Sequence, residues 1–177
     1  MKLVRLLLFA SFVGAVSISP RPFSGVSLVI SSTAFTDRSP IPAAYTCDGD
    51  GRSPDLEWTW IPDSARSLVL VVDDFTVLDR DKTVHWVVWN LDPRLRELPA
   101  GSSGGGVVGT NDYSARGYTP PCPPRGETHL YGFRLFGLDQ MLSLDPRTTT
   151  MQDLERAMDM HVVAGGTLIG SYTRSWE

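Results

Sequence analysis

In the stretch Ser67-Leu68-Val69-Leu70-Val71-Val72, every residue after the serine is apolar, and three of these five residues are β-branched valines. A run of this length without polar alternation predicts a central strand that is covered on both faces. Val84 to Leu91 and Leu130 to Leu138 predict further strands, and Leu56 to Trp60 alternates apolar and polar side chains as a half-buried strand does. The sequence therefore predicts a mainly β protein.

The segment Thr150 to Val163 is predicted to be a helix. Thr150 and Asp153 have the spacing of a capping box, and Gly165-Gly166 is expected to end the helix before a last strand from Thr167 to Tyr172. Three apolar side chains fall on one face of this helix and are expected to pack in the core: Met151, Leu154 and Met158. One late helix after several strands indicates a β-dominated sandwich with helical additions.

Length and composition favour one folded domain. The chain has 177 residues, of which 42% are hydrophobic and 20% are charged, so it can build a packed core. Its formal net charge is −4. A nucleic-acid-binding surface needs a basic patch or stripe, and the sequence contains none, so we expect no nucleic-acid partner.

Residues 1–17 have the pattern of a signal peptide. A positively charged start, Met1 to Arg5, precedes the apolar run Leu6 to Val16, and small residues lie just before and at Ser17. This run is too short for a transmembrane anchor, which needs about 20 apolar residues as a helix; a buried N-terminal strand or helix is the alternative. We therefore expect a secreted or periplasmic protein with an irregular lead-in over 18–26 and a folded domain over 27–177.

The chain contains two cysteines, Cys47 and Cys122. In an exported protein an even number of cysteines suggests a disulfide. Buried free thiols are the alternative, because cysteine is common in protein cores. The predicted signal peptide favours the disulfide.

Two of the three histidines, His85 and His129, lie in sequence surroundings that suggest a ligand-binding site. Asp74 and His85 flank the connection between two predicted strands, so the carboxylate is expected to approach the imidazole and raise its pKa. His129 follows the proline-rich loop 120–126, which is expected to be a rigid pocket wall. Tyr131 shares a strand face with His129 if the strand has begun there. The third histidine, at position 161, has only a structural interpretation.

Several separated motifs carry a resemblance to one family. The sequence from 27 to 174 is similar, in order and spacing, to the phosphatidylethanolamine-binding, or Raf-kinase-inhibitor-protein-like, family and to its bacterial and archaeal branch. The similar segments are Ile41 to Gly49, Ser53 to Trp58, His85 to Val88, Gly109 to Tyr113, Gly117-Tyr118, Cys122 to Tyr131, and His161 to Gly170. Several motifs in register are more specific than a single short pattern.

The resemblance implies a large antiparallel sheet packed with a smaller one, and a C-terminal helix near the mouth of an anion-binding pocket. Such pockets take phosphate, phosphoethanolamine-like head groups and similar small anions, without a cofactor. The residues of this chain that match the family's pocket are Asp74, His85, Pro123, Pro124, His129 and Tyr131. This chain departs from the family pattern after Asp74, where Phe75-Thr76 replaces the usual Pro-Asp, and at Leu130, where an arginine is usual.

Three alternatives to a non-enzymatic anion-binding protein stay open. Asp74, His85 and His129 have the composition of a two-histidine, one-carboxylate iron site, which would make the protein a metal-dependent enzyme. Cys122 would serve a cysteine hydrolase only if it were an exposed thiolate, and a disulfide with Cys47 would prevent this. Family analogy also suggests an inhibitor whose partner is a protease or a kinase.

Overall fold

The structure is a computed structural model that describes residues 25–76 and 83–176. The predicted signal peptide, 1–17, lies outside the described residues, as does most of the predicted lead-in. The strands of the described part are β1 (Val26–Ser27), β2 (Val29–Ser31), β3 (Ser39–Pro40), β4 (Leu56–Thr59), β5 (Ser67–Asp74), β6 (Thr83–Leu91), β7 (Glu97–Leu98), β8 (Val107–Val108), β9 (Thr128–Leu138) and β10 (Val162–Thr173). A 3-10 turn spans Ala43–Tyr45, and one α-helix, α1, spans Met151–Met158.

Two sheets form the described part of the chain. The large sheet has the order β1-β10-β9-β5-β6-β8, with β3 also paired to β10, and the small sheet has the order β2-β4-β7. The long neighbours β10, β9, β5 and β6 are all antiparallel, whereas the short β1 and β3 pair with β10 in parallel. The predicted fold class is therefore confirmed, and the two short parallel strands make the large sheet a mixed one.

Each face of the large sheet has its own core, because successive strand residues point to opposite sides. One face packs against the small sheet through buried side chains that include Leu56, Trp58, Leu70, Val72, Trp86, Val88, Phe133 and Leu168. The other face packs against α1 through Val69, Val71, Val87, Trp89, Leu138, Leu154 and Met158. Residues 67–72 of β5 are buried, as their apolar pattern predicted, and the two aspartates that end the strand, Asp73 and Asp74, are buried as well.

Helix α1 begins as predicted but ends earlier. The side chain of Thr150 accepts a hydrogen bond from the backbone of Asp153, and the Asp153 carboxylate accepts one from the backbone of Thr150, so the capping box is confirmed. The predicted end at Val163 is wrong. The helix stops at Met158, Met160 has a positive φ of 67°, and the β-branched pair Val162-Val163 begins β10. No helix in the described part of the chain is long and apolar enough to cross a membrane.

Gly165-Gly166 lies inside β10 and does not end the helix, contrary to the prediction. A Cβ atom at Gly166 would collide with the backbone oxygen of Leu28, so this glycine allows the N-terminal segment to approach the sheet. The helix packs on the sheet face opposite the small sheet. The predicted pocket residue Tyr131 packs on the face towards the small sheet, and the expected position of the helix near the pocket mouth stays a prediction.

Candidate functional site

Four of the predicted site residues lie at neighbouring strand ends. Asp74 is the last residue of β5, His85 is near the start of β6, and His129 and Tyr131 are near the start of β9. Because β5 is paired with β6 on one side and with β9 on the other, these ends meet at one edge of the large sheet. Asp74 is directly opposite Tyr131 in the β5–β9 register.

Asp74, His85, His129 and Tyr131 are called the site cluster, and the pair of Asp74 with His129 lies at its centre. The Nδ1 atom of His129 lies 2.5 Å from Oδ2 of Asp74, and the two side chains are only 14% and 9% exposed. Burial on its own lowers the pKa of His129, but hydrogen bonds to Asp74 and Glu127 outweigh burial and raise this pKa above its usual value. A carboxylate held this close also fixes the orientation of the imidazole ring.

Glu127 contacts the other nitrogen of the same ring. Its Oε2 lies 3.3 Å from Nε2 of His129, and its side chain is 60% exposed. A carboxylate accepts hydrogen bonds and does not donate them when it is ionised, so both ring nitrogens of His129 are arranged as donors. This arrangement fits the charged imidazolium form, in agreement with the raised pKa.

His85 occupies a β-bulge. Val72 is opposite Trp86 and Asp73 is opposite Val84, so His85 has no residue facing it across the β5–β6 pair. The bulge turns the His85 ring towards Tyr131, with the ring centroids 5.3 Å apart and edge-on. Bulges re-aim side chains in this way beside functional sites.

The environment of His85 keeps its ring neutral. Its Nδ1 lies 2.8 Å from the backbone oxygen of Thr119, so Nδ1 carries the proton, and Nε2 accepts from the Tyr113 hydroxyl at 3.4 Å. Burial lowers the pKa of His85, and the hydrogen bond to Thr119 and the charge of Asp74 offset this only in part. The charge of Asp74 does act on His85 in the expected direction, but burial outweighs it, so the expected net rise of the His85 pKa is wrong. The hydrogen bond of Asp74 is to His129.

Tyr131 lies between the two histidines. Strand β9 begins at Thr128, so His129 and Tyr131 share a face, and their rings stack with centroids 6.5 Å apart. Burial, together with the charge of Asp74, raises the pKa of Tyr131 far above its usual value. The phenol therefore stays protonated and can donate a hydrogen bond.

The predicted loop residues Pro123 and Pro124 differ in exposure. Pro123 is buried and Pro124 is exposed. The loop that carries them is joined to the 3-10 turn region by a Cys47–Cys122 disulfide with the Cα atoms 5.3 Å apart, and the backbone N–H of Cys47 donates to the oxygen of Pro121 at 3.0 Å. Neither cysteine is a free thiol, so the cysteine-hydrolase alternative has no nucleophile here.

Three residues in contact with the site cluster were not singled out from the sequence: Glu127, Tyr113 and Asn111. Asn111 is buried, and its side-chain amide donates to the backbone oxygen of His85 at 2.9 Å and to the hydroxyl of Thr119 at 2.8 Å. It thereby holds the loop after β8 against His85. Tyr113 and Asn111 lie in the motif Gly109 to Tyr113, which was the available signal, but no pattern within the motif assigns them to the site.

The metal-site alternative finds no support in the geometry. Among residues 25–76 and 83–176, no group of three His, Cys, Asp or Glu side chains is arranged to hold a metal ion. The Nδ1 atoms of both site histidines are already hydrogen-bonded, to Thr119 and to Asp74. His161 lies just after α1, not on it as predicted, and forms a surface pair with Asp139 at 2.9 Å.

A buried ion pair lies directly behind the site. Asp73, which is fully buried, accepts a hydrogen bond from Nη2 of Arg134 at 2.5 Å, and the Arg134 side chain is 21% exposed. Next to it, Phe75 packs on Gly132, where a Cβ atom would collide with the phenyl ring. This layer fixes the end of β5 and with it the position of Asp74.

Comparison with known proteins identifies relatives over most of the chain. The family model described as phosphatidylethanolamine-binding protein matches residues 31–173. A UPF0098 protein of Methanothermobacter thermautotrophicus is 43% identical over 151 residues, which cover 80% of this chain and 95% of the relative. A UPF0098 protein of Chlamydia trachomatis is 39% identical over 149 residues, which cover 82% of this chain and 98% of the relative.

Two solved structures are similar to this one. The crystal structure of CT736 from Chlamydia trachomatis, a putative phosphatidylethanolamine-binding protein homolog, has a TM-score of 0.77 and 37% identity and covers 84% of this chain and 99% of its own. Escherichia coli YbcL, described as a member of the mammalian family, has a TM-score of 0.75 at 21% identity, which shows a shared fold. These matches confirm the resemblance seen in the sequence and are consistent with a binding or regulatory protein. The chain belongs to the phosphatidylethanolamine-binding protein family.

Proposed function

We propose that this protein is a non-enzymatic binding protein that takes small phosphate-like anions, including phospholipid head groups, at the cluster around His129. The observation that carries the proposal is the nearly buried Asp74–His129 pair, in which Asp74 accepts a hydrogen bond from Nδ1, while Nε2 contacts the exposed carboxylate of Glu127. A charged imidazole N–H is a strong donor to an anionic oxygen.

The neighbouring side chains support an anion at the same place. The phenol of Tyr131 stays protonated and stacks on the His129 ring. Tyr113 is half exposed and has its hydroxyl against His85. Asp74 is negative, but it raises the pKa of His129 and so maintains the positive charge that an anion needs. The disulfide and the prolines hold the adjacent loop in place, which lowers the entropy lost on binding.

We expect His129→Ala to weaken phosphate binding by about 1.5–3 kcal/mol, because it removes one charge-assisted hydrogen bond. Isothermal titration calorimetry with inorganic phosphate measures this, and sulfate serves as a second probe because its charge is constant across the histidine range. Affinity for sulfate should rise as the pH falls through the raised pKa of His129. The sign follows because the anion favours the protonated ring, so it is bound more weakly once that ring loses its proton.

The matched control is His161→Ala. This substitution also removes a histidine paired with a carboxylate, but the His161–Asp139 pair is on the surface at the start of β10. It should bind phosphate like the wild type. The proposal fails if His129→Ala retains wild-type affinity while circular dichroism shows both variants folded, or if His161→Ala is the variant that loses binding.

We also propose that the protein is exported. The support is the charged, apolar and then small-residue pattern of 1–17, together with the disulfide, which is typical of oxidising compartments. The N-terminus should be removed near Ser17, and intact-mass spectrometry of the exported protein measures this. Recovery of the folded protein with Met1 still attached would contradict it.

A further inference from the structure

We infer that Glu127 occupies, with its own carboxylate, the position at Nε2 of His129 where an external anion would bind, and so acts as a built-in competitor for the proposed site. The inference rests on the proposed function and adds an affinity-limiting residue to it. Glu127 accepts from Nε2 at 3.3 Å, on the side of the ring opposite Asp74.

The two carboxylates that contact His129, from Asp74 and Glu127, differ in how easily a ligand can displace them from the ring. Asp74 is nearly buried and ends a strand that is paired on both sides, so an incoming ligand cannot displace it. The side chain of Glu127 is 60% exposed, so its rotation into water, which breaks the contact with His129, costs little free energy. An anion that approaches from solvent therefore competes with Glu127 for Nε2 and leaves the bond to Asp74 intact.

The backbone keeps Glu127 close to the ring even when its side chain moves away. Its N–H donates to the oxygen of Pro124 at 3.1 Å, and its oxygen accepts from the N–H of Arg174 at 3.3 Å. At the preceding Gly126, a Cβ atom would lie 2.6 Å from the indole of Trp176, so that side chain covers the loop. A tethered carboxylate competes as if it were at high local concentration.

Among residues 25–76 and 83–176, the other polar groups near His129 do not take the role of Glu127. Three of these groups belong to the central strands: Asp74 lies on β5, the neutral His85 lies on β6, and Tyr131 lies on β9, the strand that also carries His129.

The remaining polar groups near His129 have partners of their own. Tyr172 on β10 is opposite His129 in the register, and its hydroxyl donates to Asp48 at 2.5 Å. Arg174 pairs with the same Asp48 at 3.2 Å, and Arg125 donates to the backbone oxygen of Ser175 at 2.7 Å. Removal of Glu127 therefore leaves the donors of the site in place and takes away one negative charge.

The test compares Glu127→Gln with Glu155→Gln in the full-length protein. The control removes the same charge from an exposed residue of α1, on the other face of the sheet. Calorimetric titration with inorganic phosphate at about pH 5.5, between the ordinary ranges of carboxylates and imidazoles, should show roughly two- to fivefold tighter binding for Glu127→Gln and no change for Glu155→Gln. Proton NMR titration of His129 should give a lower pKa in Glu127→Gln, because one of its two carboxylate partners is gone.

The two readouts separate this inference from the proposed function. An unchanged His129 pKa in Glu127→Gln would overturn the inference, whatever the protein binds. Unchanged or weaker phosphate binding by this variant would also overturn it, and weaker binding confined to phosphoethanolamine would make Glu127 a partner of the ammonium group instead. If the pKa falls but neither wild type nor variant binds phosphate or sulfate, the contact stands and the proposed function fails.

Discussion

Replacement of Arg134 by Met should lower the free energy of unfolding by about 3–5 kcal/mol. The partner of Arg134 is Asp73, which is completely buried on the sheet face that packs against α1. Methionine fills a similar volume but removes the guanidinium that pairs with this buried carboxylate. The negative charge then stays in a low-dielectric environment with less compensation, and that is the source of the loss. Urea unfolding followed by circular dichroism measures it.

Two further variants define the cause of this loss. The double variant Asp73→Leu/Arg134→Met removes both charges, so it should recover most of the stability, because apolar side chains of similar volume replace buried ion pairs at little cost. Arg147→Met breaks an exposed pair with Asp145 at 3.3 Å and should change stability by less than about 1 kcal/mol. A loss in Arg134→Met no greater than that in Arg147→Met would contradict the expected role of the buried pair.

Removal of the disulfide in Cys47→Ala/Cys122→Ala should lower the free energy of unfolding by about 4.5 kcal/mol. The bridge closes a loop with a sequence separation of 75 residues, and the chain-entropy relation gives this value for a loop of that length. Cys122 is exposed and Cys47 is half-buried, so the loss of packing adds little. The loss of stability therefore arises mainly in the unfolded state, because the unfolded chain gains conformational entropy when the cross-link is absent.

Reduction of the wild-type protein provides the control for this prediction. Urea unfolding with and without dithiothreitol should give the same difference as the double substitution, and the double variant should not respond to the reductant. Equal stability of oxidised and reduced protein would show that the loop closure contributes nothing. Non-reducing peptide mapping establishes the bridge in the starting material.

The central strands could be predicted because strands that are buried on both faces consist almost entirely of apolar residues. Ser67 to Val72 is apolar at every position after the serine, and a strand covered on both faces requires that pattern. The end of the helix could not be predicted in the same way. Val162 and Val163 continue an apolar pattern that fits a helix, but they are β-branched and pair with β9, and tertiary pairing decides between the two.

The partners within the site were harder to predict than its members. Asp74 and His85 flank one connection, which made them the obvious pair, yet β5 is also hydrogen-bonded to β9 on its other side, and His129 comes from there. The bulge at His85 and the position of Glu127 depend on register and on loop contacts. Neither leaves a periodic signal in the sequence.

The order of strands in the large sheet has a consequence for the kinetics of folding. Val26 pairs with Ala164 and Ser39 pairs with Gly170, so strands near the two ends of the fold must find each other across most of the chain. Sheets dominated by such distant pairings fold slowly, typically on the order of milliseconds to seconds, because the entropy of loop closure is lost before the contacts form. Asp74 and His129 meet only when β5 and β9 have paired. The chain therefore passes through a period in which its apolar strands are exposed to other chains and the imidazole has no carboxylate partner.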